Sequence, residues 1–285
     1  MSEPLSAAQR VVLARHPQRP NIEDYIDALF PHFFEMRGDR LSGEDGAILG
    51  GVATYHGQPV TVIGTKKGKT LEENLRVHFG MPGPQGYRKA LRLMKQAEKF
   101  GRPVITLIDT AGAYPGVPAE EQGQGEAIAR NLLEMSRLTV PVIAVVTGEG
   151  NSGGALALGV ANRVLMMENA VYAILSPEGF ASILWKDASR HQEACELMRM
   201  TAPELLQMGV IDAVIPEPEG GAHLDAQAAF RAVDAGIRAQ LSQLSRLQGE
   251  ALAADRYRKF RRMALCASVR EEQAGVSRRS RRKPQ

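Results

Sequence analysis

Gly153 and Gly154 stand where a buried-strand pattern gives way to a helix, and an earlier glycine loop repeats that arrangement 38 residues before. The earlier segment reads Pro103-Val-Ile-Thr-Leu-Ile-Asp109, then Thr-Ala-Gly-Ala-Tyr-Pro-Gly116. The later one reads Pro141-Val-Ile-Ala-Val-Val-Thr147, then Gly-Glu-Gly-Asn-Ser-Gly-Gly154. Aligned on their prolines, Val104 falls on Val142, Ile105 on Ile143, Gly112 on Gly150 and Gly116 on Gly154. Glycines just past a strand let main-chain amides approach a ligand closely. The first amides of a helix lack intrahelical partners and lie at its positive end. Such donors stabilise a developing oxyanion, a chemistry that needs no side-chain nucleophile.

Two side-chain chemistries compete with this reading. Gly150-Asn-Ser152-Gly-Gly154 fits the G-x-S-x-G nucleophile elbow, and Asp212 and His223 follow in hydrolase order. A serine hydrolase built on Ser152 is therefore the alternative, although Asp212 lies in an apolar strand pattern and His223 follows Gly220-Gly221. Without that role, Ser152 reads as a helix N-cap. The second competitor is the basic loop Gly64-Thr-Lys-Lys-Gly68-Lys69-Thr70, followed by a strand ending in Asp109. A phosphate-binding P-loop needs four residues between its glycines, and this loop has three. One amide fewer misplaces the lysine, so a basic turn is the simpler reading.

The elements that must hold these residues read as follows. Asn21 is positioned as an N-cap, with Asp24 three residues on, and Pro31 should end that helix. Residues 47–55 and 59–65 alternate as strands joined by a tight turn at His56-Gly57. Tyr87, Ala90, Leu91, Met94 and Ala97 keep one apolar helix face, which stops near Gly101, while Arg88, Lys89, Arg92, Lys95 and Lys99 read as its solvated side. The repeat strands 103–109 and 141–147 alternate with helices over 119–138 and 153–161. Short strands at 163–167 and 171–175 lead to Ser176-Pro-Glu-Gly179 and a helix through Trp185. After 210–215, Phe230, Val233, Ile237, Leu241 and Leu244 form an amphipathic stripe. Strands alternating with helices define an α/β class.

Composition bounds the rest. A chain of 285 residues, 44% of them hydrophobic, can bury one large core. Met1 to Pro20 carries three arginines and no apolar run of signal-peptide length, and no stretch approaches the roughly 20 apolar residues of a membrane span. Cys195 and Cys266 lack metal-ligand spacing, so no metal is expected on this chain, and a reducing cytoplasm fits. Of 35 Lys and Arg and 32 Asp and Glu, eleven and three lie from Asp255 to Gln285, leaving 24 against 29 elsewhere. The body is mildly acidic and the end is basic. Without interleaved aromatics, that end reads as a solvated, disordered tail.

At these residues the chain resembles the α subunit of the acetyl-CoA carboxylase carboxyltransferase family, in its two-subunit bacterial form. The resemblance runs from Leu13 to His223. It is carried by Leu13-Ala-Arg-His-Pro-Gln-Arg-Pro20, Gly38-Asp-Arg40, Phe79-Gly-Met-Pro82, Gly86-Tyr-Arg-Lys-Ala-Leu-Arg92, Gly112-Ala-Tyr-Pro-Gly116, Gly125-Glu-Ala-Ile-Ala-Arg-Asn131, Ser152-Gly-Gly-Ala155 and Ser176-Pro-Glu-Gly179, in one order. It implies a crotonase-like (ClpP/crotonase) fold of repeated ββα units with C-terminal helices. The domain would span 21–254, after a short arm over 1–20 and before the tail over 255–285. It also implies half an enzyme. A separate β subunit with a zinc ribbon would bind acetyl-CoA, in an α2β2 assembly within a complex that includes biotin carboxylase. This chain would receive carboxybiotin on a biotin carboxyl carrier protein, with nothing attached covalently to itself and no membrane involved. Gly153 and Gly154 match the family's oxyanion-hole pair. Gly112, Ala113, Tyr114, Pro115 and Gly116, with Ser176, Glu178 and Gly179, would shape the biotin pocket. The reaction implied is carboxyl transfer to acetyl-CoA, giving malonyl-CoA for fatty-acid synthesis. Asn151 departs from the family by standing where glycine is frequent, and asparagine tolerates a left-handed backbone next best.

Overall fold

The computed structural model describes residues 5–263. Helix α1 (Ala7–Ala14) opens with a capping box in which Ser6 and Gln9 satisfy each other's backbone amides. Helix α2 (Ile22–Leu29) starts in the same way from Asn21 and Asp24 and stops two residues before Pro31. A short strand β1 (Phe34–Glu35) edges the hairpin of β2 (Ile48–Tyr55) and β3 (Gln58–Thr65). The hairpin turn uses His56 and Gly57 with φ of 45° and 80°, the pair of left-handed residues that matches strand twist. Helix α3 (Leu71–Arg76) and a single 3₁₀ turn at His78–Gly80 lead to α4 (Pro84–Lys99), which begins on proline.

The first repeat strand is β4 (Val104–Thr110). The helix expected over 119–138 is two helices, α5 (Val117–Glu121) and α6 (Gln124–Arg137), because Gly123 between them adopts φ 83°. The second repeat strand, β5 (Val142–Asn151), runs four residues beyond Thr147, where the sequence pattern ended it, and passes directly into α7 (Ser152–Gly159). Then follow β6 (Arg163–Met167), β7 (Val171–Ala173), α8 (Pro177–Trp185), α9 (His191–Met198), α10 (Ala202–Met208), β8 (Ala213–Ile215), α11 (Ala226–Leu244) and α12 (Glu250–Met263).

The strands form one mixed sheet in the order β1-β2-β3-β4-β5-β6-β8, with β7 beside the far end of β5. Strands from β3 onward run parallel. Every residue of β4 and β5 is buried, as expected of strands covered on both faces. Helices α4, α6 and α7 pack over one side and α2 and α11 over the other. The internal echo is structural: Val104 pairs with Val142 and Ile105 with Ile143. The register then slips, so Thr110 and not Gly112 stands beside Gly150. The cause is the extra length of β5, whose last three residues pair with β7.

Three expectations change. The cationic side of α4 is solvated only in part: Lys95 and Lys99 are exposed, and the other three are not. Lys89 is 1% exposed, and its ammonium donates to the carbonyls of Asp45 (2.9 Å) and Ile48 (2.5 Å) and to Glu44. Arg88 pairs with Asp39, and Arg92 donates to the carbonyls of Gly38, Met36 and Arg37, so this face ties down the loop after β1. From residue 5 onward the expected arm over 1–20 is joined to the body, through α1 and through Arg19, whose guanidinium meets the Glu217 carboxylate at 2.5 Å. The first part of the tail expected from 255 is helical. Residues 255–263 continue α12, and Arg256, fully buried, donates to the carbonyls of Leu138 and Val140 and to Asn162 Oδ1. The remainder of that tail, with Cys266, lies outside the described residues.

Candidate functional site

The two repeat loops meet at the C-terminal end of the parallel strands. Gly154 lies so close to the first loop that a Cβ there would fall 2.4 Å from Ala113 N and 2.4 Å from the Gly112 carbonyl carbon. Gly112 itself has φ 145°, open to glycine, and Thr110 grips it twice: its hydroxyl donates to Gly112 O and accepts from Gly112 N. On the other strand the chain turns from β5 into α7 at Ser152, with φ 60°. Asn151 holds the cap position but makes no side-chain cap bond, and its Oδ1 is buried without a partner. No acceptor among the described residues takes the Gly153 or Gly154 amide. Two adjacent N–H groups at a helix start are thus unspent, beside a buried and equally unspent carbonyl-type oxygen. The two amides, and not the Asn151 oxygen, favour an anion.

The rest of the first loop is held by its surroundings. Tyr114 N donates to Pro82 O at 3.0 Å, Gln124 bridges Pro82 O and Tyr114 O, and the Tyr114 ring lies against Gly116, where a Cβ would fall 2.4 Å away. Ala113 packs with Tyr87, Ala127, Ala157 and Ile128. Ser176 caps α8 by accepting from Gly179 N. The Ser176–Gly179 segment follows β7, which flanks the end of β5 opposite β4. The structure therefore brings Gly112 and Ala113 against Gly154 directly, while Ser176, Glu178 and Gly179 are linked to the end of β5 through β7 and through an Arg15 bridge from Glu178 to Glu149.

Glu178 ends a chain of alternating charges that sequence reading missed. Arg15 donates to Glu178 (2.6 Å) and to Glu149 (2.7 Å), and Lys67 joins Glu149 (3.1 Å) to Asp109 (2.7 Å). Asp109 also accepts from Glu149 N. The partners are up to 163 residues apart, so no local pattern could reveal them. This network floors an open cleft of about 930 Å³ beside Ala111, bounded by Pro17–Asn21, Lys67–Lys69, Phe79 and the start of α11. Its cations are already spent on its own carboxylates, so the cleft has little charge left over for an anion.

The network makes the fold acid-sensitive in a defined direction. The Arg15 guanidinium draws the Glu178 carboxyl down to about 2. Burial alone would raise Glu149, but Lys67 and Arg15 overcome it and hold that carboxyl below its ordinary range. Folded values that are lowered give stability that is complete above the ordinary value of about 4.3 and drains away as pH falls toward the folded values. Arg15→Met should flatten this limb. Melting temperatures taken from about pH 6 to about pH 3 should fall less steeply than in the parent protein. An equal slope would locate the acid sensitivity elsewhere.

The two competing chemistries are not assembled. Asp212 precedes β8 at the N-terminal end of the parallel strands, where its carboxylate accepts from Val164 N and from Lys259. His223 lies past the other end of β8, its ring stacked on His16 at 3.8 Å. Its Nδ1, the atom that a triad aspartate would hold, is buried without a partner. Ser152 has the sharp backbone of an elbow, but no hydrogen bond links it to either residue. It is the first residue of α7 and not its cap. In the Gly64–Thr70 loop, Gly68 N donates to Asn74, Lys69 N to Glu73, and the Lys69 ammonium pairs with Asp24. Those amides and that lysine are consumed internally and form no phosphate cradle.

Among solved structures, the transcarboxylase 12S hexamer core with methylmalonyl-coenzyme A bound matches with a TM-score of 0.66 at 20% identity, covering 86% of this chain and 46% of that one. A Pseudomonas malonate decarboxylase hetero-tetramer in complex with coenzyme A matches with a TM-score of 0.65 at 18% identity, covering 90% and 97%. At such identities the likeness shows the fold, which is the crotonase-like α/β architecture of carboxyltransferases. The sequence narrows the class. The acetyl co-enzyme A carboxylase carboxyltransferase-like family matches residues 1–264, and the chain belongs to it. The acetyl-coenzyme A carboxylase carboxyl transferase subunit alpha of Geobacillus thermodenitrificans (strain NG80-2) is 59% identical over 267 residues, covering 94% of this chain and 82% of the relative. That of Listeria monocytogenes serotype 4b (strain CLIP80459) is 55% identical over 261 residues, covering 92% and 82%. The chain is thus a carboxyl transferase component of the α type, and the hydrolase alternative finds no support.

Proposed function

We propose that this chain is the carboxybiotin-facing half of a carboxyltransferase, which moves a carboxylate to acetyl-CoA and yields malonyl-CoA for fatty-acid synthesis in the cytoplasm. The observation that carries this reading is the pair of unspent amides at Gly153 and Gly154, with Gly154 pressed against the Gly112–Ala113 peptide. Their character fits a ureido group, whose oxygen would gather negative charge as carbon dioxide departs and leaves the N–C bonding pair behind. Bound carboxybiotin supplies the carboxyl group and, once that has left, a basic ring nitrogen. The chain's part is electrostatic. The Gly153 and Gly154 amides donate to the ureido oxygen at the positive end of α7, and they gain most where the charge is largest. Removing one such donor typically costs about 10²–10³ in rate. The Gly112–Gly116 loop and Ser176–Gly179 shape the pocket walls, with Arg15 fixing Glu178 and hence the start of α8.

Half a site closes only across an interface. Ile174, Ile183 and Leu184, 78%, 68% and 55% exposed, form apolar surface just before and along α8. We assign it to the β subunit, which would bring a zinc ribbon and acetyl-CoA in an α2β2 assembly, while the biotin carboxyl carrier protein delivers its group from outside. Ser152→Ala separates this reading from hydrolysis. Carboxyl transfer by the assembled complex should stay within a few-fold of the parent rate, and a serine-directed fluorophosphonate should leave the chain unlabelled. Near-complete loss of activity with labelling of Ser152 would reinstate the nucleophile.

A further inference from the structure

Three consecutive residues between α3 and α4 adopt left-handed backbone: His78 (φ 48°), Phe79 (φ 55°) and Gly80 (φ 76°). Left-handed conformations at non-glycine residues persist only where surrounding structure enforces them, and they concentrate at functional sites. The outcome of this run is a single placement. The His78 ring lies flat on Tyr114, centroids 3.9 Å apart and planes 14° from parallel. Within its own loop, Gly116 lies against the Tyr114 ring. The same segment holds the tyrosine's backbone, with Pro82 O accepting from Tyr114 N at 3.0 Å. One residue earlier, Ala113 N lies against Gly154. A continuous line of contact thus runs from the imidazole through Tyr114 and Ala113 to Gly154.

The imidazole's hydrogen-bonding capacity is not what keeps it there. Its Nδ1 is buried without a partner, an arrangement that costs stability. What the ring contributes is its face. We infer that His78 is a positioning residue, whose stack on Tyr114 sets the Gly112–Gly116 loop at the spacing from Gly153 and Gly154 that the biotin group requires. This rests on the assignment of that loop to the biotin pocket, and the test separates the two.

The experiment uses the assembled α and β subunits and runs the reaction from malonyl-CoA to free biotin, so that the two Michaelis constants are read separately. His78→Asn keeps a residue tolerant of left-handed backbone and removes the ring. It should raise the KM for biotin roughly tenfold to a hundredfold, with KM for malonyl-CoA and the melting temperature unchanged. His78→Phe restores a flat ring, on a backbone conformation that Phe79 already holds next door, and should return the biotin KM to near the parent value. Tyr114→Ala is the control for the pocket. If it raises the biotin KM and His78→Asn does not, the positioning role is overturned. If Tyr114→Ala leaves the biotin KM unchanged, the pocket assignment itself fails. Equal impairment in His78→Phe and His78→Asn would also overturn the stacking role.

Discussion

Gly154→Ala is expected to slow carboxyl transfer by roughly 10²–10³, while Gly153→Ala, one residue away, costs less than about tenfold. The two substitutions add the same methyl group to the same helix turn. At 153 the new Cβ would lie 3.6 Å from Ile128, an ordinary contact on the flank of α6. At 154 it would lie 2.4 Å from the Gly112–Ala113 peptide, which is backbone and cannot swing aside. The loops must part, and an amide aimed at one oxygen position loses its aim. Close packing of the two repeats and the placement of the donors are therefore one requirement. The check is kcat and KM for both substrates in the assembled complex, with thermal melting to register how much of the loss is folding. Equal effects at both positions would show that the Gly154 contact does not set the donors.

Arg19→Met should destabilise the fold by about 3–5 kcal/mol, the largest stability change expected of a single surface-remote substitution here. Arg19 and Glu217 side chains are 2% and 0% exposed. The guanidinium donates through Nη1 and Nη2 to the carboxylate (3.0 and 2.5 Å) and through Nε to Thr147 O (2.6 Å). Glu217 also accepts from Asn169 N and Ala222 N. One ion pair thus fastens the N-terminal segment, the middle of β5 and the turn after β8. Burial opposes both charges, yet the pairing leaves Arg19 raised and Glu217 lowered from their ordinary values. Removing one partner strands the other charge out of water, so the single change is severe. Replacing both with apolar residues should recover much of the loss. Denaturant unfolding of Arg19→Met, Glu217→Leu and the double variant measures this directly. A double variant as unstable as the sum of the singles would mean that the two groups act independently.

The parts of this fold legible in the sequence are those governed by neighbours along the chain. The Asn21–Asp24 cap, the His56-Gly57 turn and the end of α2 before Pro31 each depend on a few adjacent residues. The repeat pairing of β4 with β5 was legible because parallel strands buried on both faces have few ways to be written. What escaped depends on partners far away. The extension of β5 to Asn151 exists because β7 pairs with it. Lys89 looked like solvated charge because the carbonyls that receive it belong to a loop some forty residues earlier. The continuation of α12 through the basic 255–263 stretch follows from Arg256 finding the carbonyls of Leu138 and Val140. At the site, Gly153, Gly154 and Gly112–Gly116 were readable as glycine chemistry. The Arg15–Glu149–Lys67–Asp109 network and the left-handed run at His78–Gly80 were not, since charge pairing across the fold and backbone strain leave no periodic trace.

The central claim is that this chain supplies half of a carboxyltransferase site through oriented amides. Its most direct test is malonyl-CoA formation from acetyl-CoA and carboxybiotin, measured with this chain alone, with its β partner, and with Gly154→Ala in place of the parent chain. The expected result is no product from the chain alone, turnover in the mixture, and a loss of roughly 10²–10³ in the variant mixture. Full turnover by the chain alone, or a variant mixture as active as the parent, would contradict it.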